Sequence, residues 1–527
     1  MTTKIKKILN KQTKTIISAG SILAIAMFSS RILGLVRDKL LAHKFGASLA
    51  TDVYNAAFRV PDLIFNIIIL STISAGFIPV LTKYLREKDN NKQAWQLVNN
   101  LLNTVLLALI IIIPIMILTA DIWTSWLVPG FDAQAKKLTA NLSRIMFISP
   151  LLFAISNIFG SVLRVFRRFI VWALCPILYN LGIIIGIVFF TPIWGLYGLA
   201  FGVLLGALAH LIIQIPTLIH VKYKYKLFIN LKDKGLRKII KLMLPRAMGM
   251  SIIQINLLAV TILASLIGEG SIAAFTFANN LQGVPIGIFG VAFAVAAFPC
   301  LSRFSAKHEI EKFKNTFAKT MARIMFFAIP AATFMYILRA QIVRLVFGSG
   351  QFDWTDTRTT IACLGFFAFG LSAQASISLL ARTFYAIENT KIPFITGFIG
   401  AIINIILGIY LSPKMGIGGL ALAFTIAGIV NMSLLFFILR IKLGNLNDKF
   451  LFFVNIKTSL SALVAGLLAH KALYWADPFV NTHTVFGLGL QAIFAGFIGL
   501  ITYLILAWIF RCEEVLGFVK WTRAKLE

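Results

Sequence analysis

The amino-acid sequence predicts an all-α, polytopic membrane protein of about 14 transmembrane helices, and three observations carry that prediction. Of 527 residues, 59% are hydrophobic and 13% charged, with a mean hydropathy of +0.88, far from the balance of soluble globular chains. Apolar stretches of the roughly 20 residues that a bilayer demands recur from end to end. Lysine and arginine gather in alternate connections, as the orientation bias of membrane helices requires.

Lys4, Lys6, Lys7, Lys11 and Lys14 precede a first apolar run that holds internal charges and lacks a small-residue cleavage site. It reads as an uncleaved helix rather than a leader peptide. Expected spans in the first half are 15–41, 50–81, 94–120, 138–165, 170–190 and 196–219; those in the second are 239–267, 271–301, 313–338, 359–387, 392–411, 417–441, 450–474 and 485–510. The basic turn Lys83 to Lys88, the corner Arg164/Arg167/Arg168, the connector from Lys222 to Lys238, Arg303/Lys307, Arg382/Lys391, Arg440/Lys442 and the tail with Lys520, Arg523 and Lys525 fall on one side. Opposite loops are poorer in cations, although Lys136/Lys137 and Arg339/Arg344/Arg358 run against the bias. An even number of spans with both termini cytoplasmic fits best. The net charge of +31 is then a topology signal with attraction to anionic lipids, and nucleic acid need not be a partner.

An internal repeat of roughly 220 residues organises the spans. Gly195-Leu196-Tyr197-Gly198-Leu199-Ala200 recurs as Gly416-Ile417-Gly418-Gly419-Leu420-Ala421, and Asp132 of the stretch after Leu127 is echoed by Asp353 at the same spacing. Two six-helix lobes, 1–219 and 220–443, are expected to share orientation and be related by a pseudo-two-fold along the membrane normal, with a cavity between them. The segment 444–527 adds two extra helices and a basic tail.

Charge inside the spans locates the chemistry. Arg31, Arg37, Asp38 and Lys39 sit in the first span, and Asp52, Arg59, Asp62 and Asn66 in the second. Each charge at the bilayer centre costs roughly 2.5–3.5 kcal/mol, so such a cluster is expected to line a water-filled cavity. Guanidinium groups bind phosphate oxygens bidentately and stay charged, which suits Arg31, Arg37 and Arg59 to a phosphate or pyrophosphate, with Asp38 and Asp52 holding them in place. The plainer alternative is a solvated helix end at Arg37-Asp38-Lys39 and an Arg31–Asp52 pair. Arg246, after Pro245, is either a cytoplasmic anchor or a ligand; Asn279 and Asn280 either join helices by hydrogen bonds or contact the ligand. Proline at 61, 79, 245, 285 and 299 bends helices where rocking would need it.

Four cysteines without paired spacing exclude a disulfide framework or zinc site. There is no H-E-x-x-H, nucleophile elbow or P-loop, so no catalytic residue, metal or cofactor is expected, and an intramembrane transferase ranks last among the readings. Membrane potential or an ion gradient is the default energy source.

With these residues in hand, the chain resembles the MurJ (MviN) lipid II flippase family of the multidrug/oligosaccharidyl-lipid/polysaccharide exporter superfamily. The likeness rests on Ser30-Arg31-Ile32-Leu33-Gly34-Leu35-Val36-Arg37-Asp38, Phe45-Gly46, Thr51-Asp52, Ala57-Phe58-Arg59-Val60-Pro61, Phe77-Ile78-Pro79 and the run from Phe384 to Pro393. It implies a fourteen-helix fold in the bacterial cytoplasmic (inner) membrane, a monomer that is no enzyme, and alternating access that carries undecaprenyl-pyrophosphate-linked peptidoglycan precursor, lipid II, to the outer leaflet. Arg31 and Arg37 would contact the pyrophosphate and headgroup, supported by Asp38 and Asp52, and the last two helices would form a groove for the lipid tail. Export of drugs or another polyprenyl-linked glycan is the second reading. Two departures stand out: Phe65-Asn66 replaces the family's usual arginine pair, and Asn280 stands where an arginine commonly follows Tyr-Ala-Asp. Either Arg59 and Arg246 compensate, or the headgroup is held differently. The expected seventh and eleventh spans hold no acid, so a sodium site there is not supported.

Overall fold

The computed structural model describes residues 16–70, 76–87, 91–482 and 484–515. The expected N-terminal lysines, Lys88 and the tail cations Lys520, Arg523 and Lys525 lie outside them. Among the described residues the fold is all-helical, and twelve helices are long and apolar enough to cross a membrane. The count treats Lys391–Leu443 as one helix and does not include Ile16–Phe45. The 53-residue helix Lys391–Leu443 spans two expected segments and bends at Gly416.

By contacts the chain divides into two compact units, Met1–Ile272 and Ala273–Glu527. In the first, α1 (Ile16–Phe45) packs on α8 (Phe169–Ile185), and α2 (Leu49–Ile64) on α6 (Ala133–Met146). Helices α3 (Ile78–Glu87), α4 (Asn91–Leu118), α5 (Ala120–Leu127), α7 (Ile148–Val165), α9 (Tyr197–Ile212) and α10 (Ile215–His220) complete the layer. Helix α11 (Lys234–Ile267) also packs here, against α2, α4, α5 and the π-helical turn that continues α2. The core is aliphatic, built by Leu97, Val98, Leu101, Ile158, Val162 and their neighbours. Helix α8, its π-helical extension and α9 approach closely because glycines face each other: a Cβ on Gly186 would lie 2.5 Å from the Gly202 Cα. Small residues at four-residue spacing are the usual device where lipid gives no hydrophobic drive between helices.

The second unit holds α12 (Ser271–Pro285), whose first two residues still cluster with the first unit, then α13 (Ala292–Ala306), α14 (Ile310–Ile337), α15 (Arg339–Phe347), α16 (Trp354–Ala386) and α17 (Lys391–Leu443). The final pair, α18 (Asp448–Ala476) and α19 (Val485–Ile509), pack on each other and α18 packs on α14. Tyr503 donates from α19 to the Phe326 carbonyl at 2.6 Å, a bond that matters because no water competes or substitutes at that depth. An apolar groove of about 370 Å³ lies among α14, α16 and α18, lined by Ile329, Tyr336, Phe369, Leu463 and Leu467.

Local geometry recurs at the spacing of the sequence repeat. Gly195 has φ 56° and ψ −139°, and Gly416 φ 57° and ψ −144°. These left-handed angles are cheap only without a Cβ, which explains why glycine opens both echoed motifs. Arg167 and Glu388 share φ of 57° and 58°. The Asp132 carboxylate accepts the Ala135 amide at 2.7 Å and caps α6, as Asp353 accepts the Asp356 amide at 2.8 Å and caps α16. A π-helical turn follows α2 at Phe65–Leu70 and another follows α12 at Ile286–Val291.

Candidate functional site

The charges expected at membrane depth meet within the first unit, on α1, α2, α8 and α11. On α1 the wheel separates Arg37 from Asp38 by about 100°, but the long guanidinium closes the gap. Its Nε and Nη2 both donate to Asp38 Oδ1, at 3.0 and 2.7 Å, while Nη1 donates to Asn180 Oδ1 on α8 at 3.3 Å. Asp38 is 6% exposed at its side chain and Arg37 26%. The acid is therefore sealed under the cation, which keeps an open edge. Asn180 also donates to the Ser30 carbonyl and hydroxyl, both at 3.3 Å, so one amide both locks α1 to α8 and aims Arg37. Arg31, nearly two turns before Arg37, is half-buried.

On α2, half-buried Arg59 donates from Nε to the Thr261 hydroxyl of α11 at 2.9 Å. One turn on, the Asp62 carboxylate is exposed, yet it lies within electrostatic reach of both Arg59 and Arg37. An exposed acid thus stands between two cations inside a span. Tyr54 and Tyr179 share the field of Arg37. Phe153 joins them to the wall, edge-on to Tyr179 at 5.1 Å and tilted against Phe65 at 5.2 Å.

That wall accounts for the Phe65-Asn66 departure. Phe65 is half-buried among aromatic rings, and Asn66 donates to the Asp62 carbonyl at 2.7 Å. The same carbonyl accepts Gln254 Nε2 of α11 at 3.1 Å. Pro61 and the π-helical turn disturb the backbone ladder of α2 here, and these two amides join the Phe65 N–H on the Asp62 carbonyl. The pair therefore tends backbone and wall.

Asp52 is fully buried, with Oδ2 accepting the Gly270 amide at 2.8 Å. Gly270, at φ 78°, presses on the Ala47 carbonyl so closely that no Cβ would fit. Asp52 thus fastens the turn that follows α11. Arg246 is exposed, more than two turns before Gln254 on α11. Asn279 and Asn280 are half-buried on α12 in the second unit, where Asn279 accepts Gln282 Nε2 at 3.0 Å.

Of the residues expected from the sequence, Arg37 pairs with Asp38, and Arg37 and Arg59 both act on Asp62; Tyr54, Tyr179, Thr261 and the bond from Arg37 to Asn180 were not expected. Asp62 carried a usable signal, standing three residues after Arg59 on one helix face. The tyrosines and Thr261 carried none, since helices distant in sequence deliver them. Among the described residues no cluster of histidine, cysteine and carboxylate could hold a metal.

Comparisons with known proteins agree with one another. The model of a family described as lipid II flippase MurJ matches residues 41–494. A probable lipid II flippase MurJ of Vibrio cholerae is 30% identical over 93% of this chain and 94% of its own length. One from Buchnera aphidicola, of the Acyrthosiphon pisum subspecies, is 28% identical over 90% and 93%. Among solved structures, a lipid II flippase MurJ in an inward closed conformation superposes with a TM-score of 0.77 at 27% identity, covering 94% of this chain and 99% of that one. An inward-facing multidrug transporter of the MATE family gives 0.67 at 16% identity over 82% and 99%, a likeness of fold alone.

Proposed function

Because the chain belongs to the lipid II flippase MurJ family, we propose that it moves lipid II from the inner to the outer leaflet of the bacterial cytoplasmic membrane by alternating access. The observation that carries the reading is the cluster of Arg37, Arg59 and exposed Asp62 on α1 and α2 of the first unit. A pyrophosphate brings several negative oxygens, and Arg37 and Arg59 offer planar donors that stay charged at any relevant pH. Asp38, sealed beneath Arg37, fixes the fork and lowers the cost of keeping it there without cargo. Arg31 extends the basic lining along α1. Tyr54 and Tyr179 supply hydroxyls for the sugar or phosphate edge. The headgroup is thereby held by two arginines from different helices rather than by the usual adjacent pair, and Asp62 meets a donor such as a hydroxyl or ammonium of the cargo. Arg246 adds a polar group on α11, Asn279 and Asn280 offer amides to the cargo from α12, and Asn66 and Asp52 support the backbone of the first unit.

The lobes 1–219 and 220–443 act as two similarly oriented halves, and 444–527 contributes the lipid-tail groove, for which the apolar lining between α14, α16 and α18 is suited. The chain works as a monomer among anionic lipids, with both termini cytoplasmic and no chemistry performed on the cargo. The reading as an exporter of drugs or of another glycan is not favoured, since the relatives are named lipid II flippases. The test is depletion of the protein in cells with leaflet-specific labelling of lipid II. Precursor should accumulate on the cytoplasmic side and be rescued by the wild-type chain. Undiminished outward exposure after depletion contradicts the proposal.

A further inference from the structure

One end of the first unit holds a second basic site, separate from the cluster on α1 and α2. A cavity of about 510 Å³ lies where α3, the start of α4 and the start of α11 meet, and Lys83, Lys234 and Lys238 line its mouth with Tyr84 and Gln93. Lys234 and Lys238 stand one turn apart on the same face of α11, and all three lysines are exposed. Its apolar lining comes from Pro79, Val80 and Leu242, of which Val80 is buried. Asp233, just before these lysines, accepts the Leu236 amide at 2.7 Å and so spends a carboxylate oxygen on the helix end. The walls are brought close at two glycines: a Cβ on Gly76 would lie 3.0 Å from the Ile239 Cα, and one on Gly235 would lie 2.7 Å from the Tyr84 hydroxyl.

An independent feature sets the level of this cavity relative to lipid. The connector leading into α11 is clamped onto α4 by three buried asparagines, each using its amide in both senses. Asn99 accepts Tyr223 Oη and donates to the Lys224 carbonyl at 3.1 Å; Asn103 accepts Tyr225 Oη at 2.9 Å and donates to the Lys226 carbonyl at 3.0 Å. Asn100 exchanges two bonds with the Asn230 backbone, at 2.8 and 2.9 Å. Fixed in this register, Lys222, Lys224 and Lys226 face outward beside Leu227 at 81% exposure and Leu231 at 59%. A rigid strip that presents lysines and large apolar side chains together belongs at the boundary of headgroups and acyl chains.

We propose that the Lys83–Lys234–Lys238 cavity binds the phosphate of an anionic phospholipid, with an acyl chain laid along Leu242 and the exposed apolar strip. Basic pockets between membrane helices take such headgroups, and a doubly phosphorylated lipid such as cardiolipin matches three cations better than a zwitterionic one. The chemistry is shared with a polyprenyl pyrophosphate, so the experiment separates the two sources. The full chain is purified, delipidated and offered cardiolipin, phosphatidylglycerol, phosphatidylcholine or undecaprenyl pyrophosphate, and bound lipid is counted by native mass spectrometry. Cardiolipin and phosphatidylglycerol should be retained over phosphatidylcholine by roughly tenfold, with binding falling as salt rises. The triple variant K83Q/K234Q/K238Q should lose that preference, whereas K83R/K234R/K238R, which keeps charge and serves as the folding control, should retain it. Equal retention of phosphatidylcholine, or binding by the wild type that ignores salt, overturns the site. A lysine-dependent preference for undecaprenyl pyrophosphate over both phospholipids overturns the phospholipid and hands the cavity to the cargo.

Discussion

The two repeats of this chain share a skeleton and divide the charge unequally. In the first, α1 and α2 carry Arg31, Arg37, Asp38, Asp52, Arg59 and Asp62. In the second, α11 and α12 occupy the corresponding places; the cations of α11 stand in its first half, from Lys234 to Arg246, and beyond them the two helices offer Gln254, Asn256, Asn279, Asn280 and Gln282 instead. Yet the asparagine-free landmarks coincide: the same glycine angles at Gly195 and Gly416, the same aspartate caps at Asp132 and Asp353, the same π-helical turns. The backbone devices recur in both copies, whereas the interior charge is present in only one. Where the interior charge is lacking stand neutral amides, such as Gln282 donating to Asn279, whose burial costs far less.

This contrast can be broken experimentally. The largest stability effect is expected from Asp38→Ala, which strands the Arg37 guanidinium without its acid. Thermal unfolding in detergent should show a loss of about 2–3 kcal/mol, the cost of leaving a part-buried cation without its acceptor, while Asn279→Ala in the other repeat should cost far less. Next come the paired glycines. Gly195→Ala and Gly416→Ala should each lower stability by about 1–2 kcal/mol, and by similar amounts, because each puts a Cβ at left-handed angles. Unequal losses would mean that the shared angles do not reflect a shared constraint. Smallest are the caps: Asp132→Ala and Asp353→Ala should each cost about 1 kcal/mol, read as matched shifts of the unfolding midpoint.

How much of this was legible in the sequence depends on whether the signal is local. Length and hydropathy marked the helices, and echoes such as Gly195/Gly416 marked the repeat, because a left-handed turn restricts residue type at one position. Arg37 and Asp38 were visible as charge embedded in an apolar run. The packing of α11 with the first unit was not visible, since nothing near Gln254 or Thr261 encodes that they reach the Asp62 carbonyl and the Arg59 guanidinium of α2. Phe65 and Asn66 looked like a deficit of cations; their bonds to Phe153 and to the α2 backbone are tertiary facts that no spacing reveals.

The most direct test of the central claim compares leaflet exposure of lipid II in proteoliposomes carrying the wild-type chain, the double variant Arg37→Gln/Arg59→Gln and the double variant Asn279→Ala/Asn280→Ala, each matched for folded protein. The account predicts that the arginine variant falls by on the order of a hundredfold or more, as expected for losing two charge-assisted contacts, while the asparagine variant, which loses neutral contacts alone, falls by about tenfold at most. Full transport by the arginine variant, or equal losses in both, would contradict the assignment of the pyrophosphate to the charged first repeat.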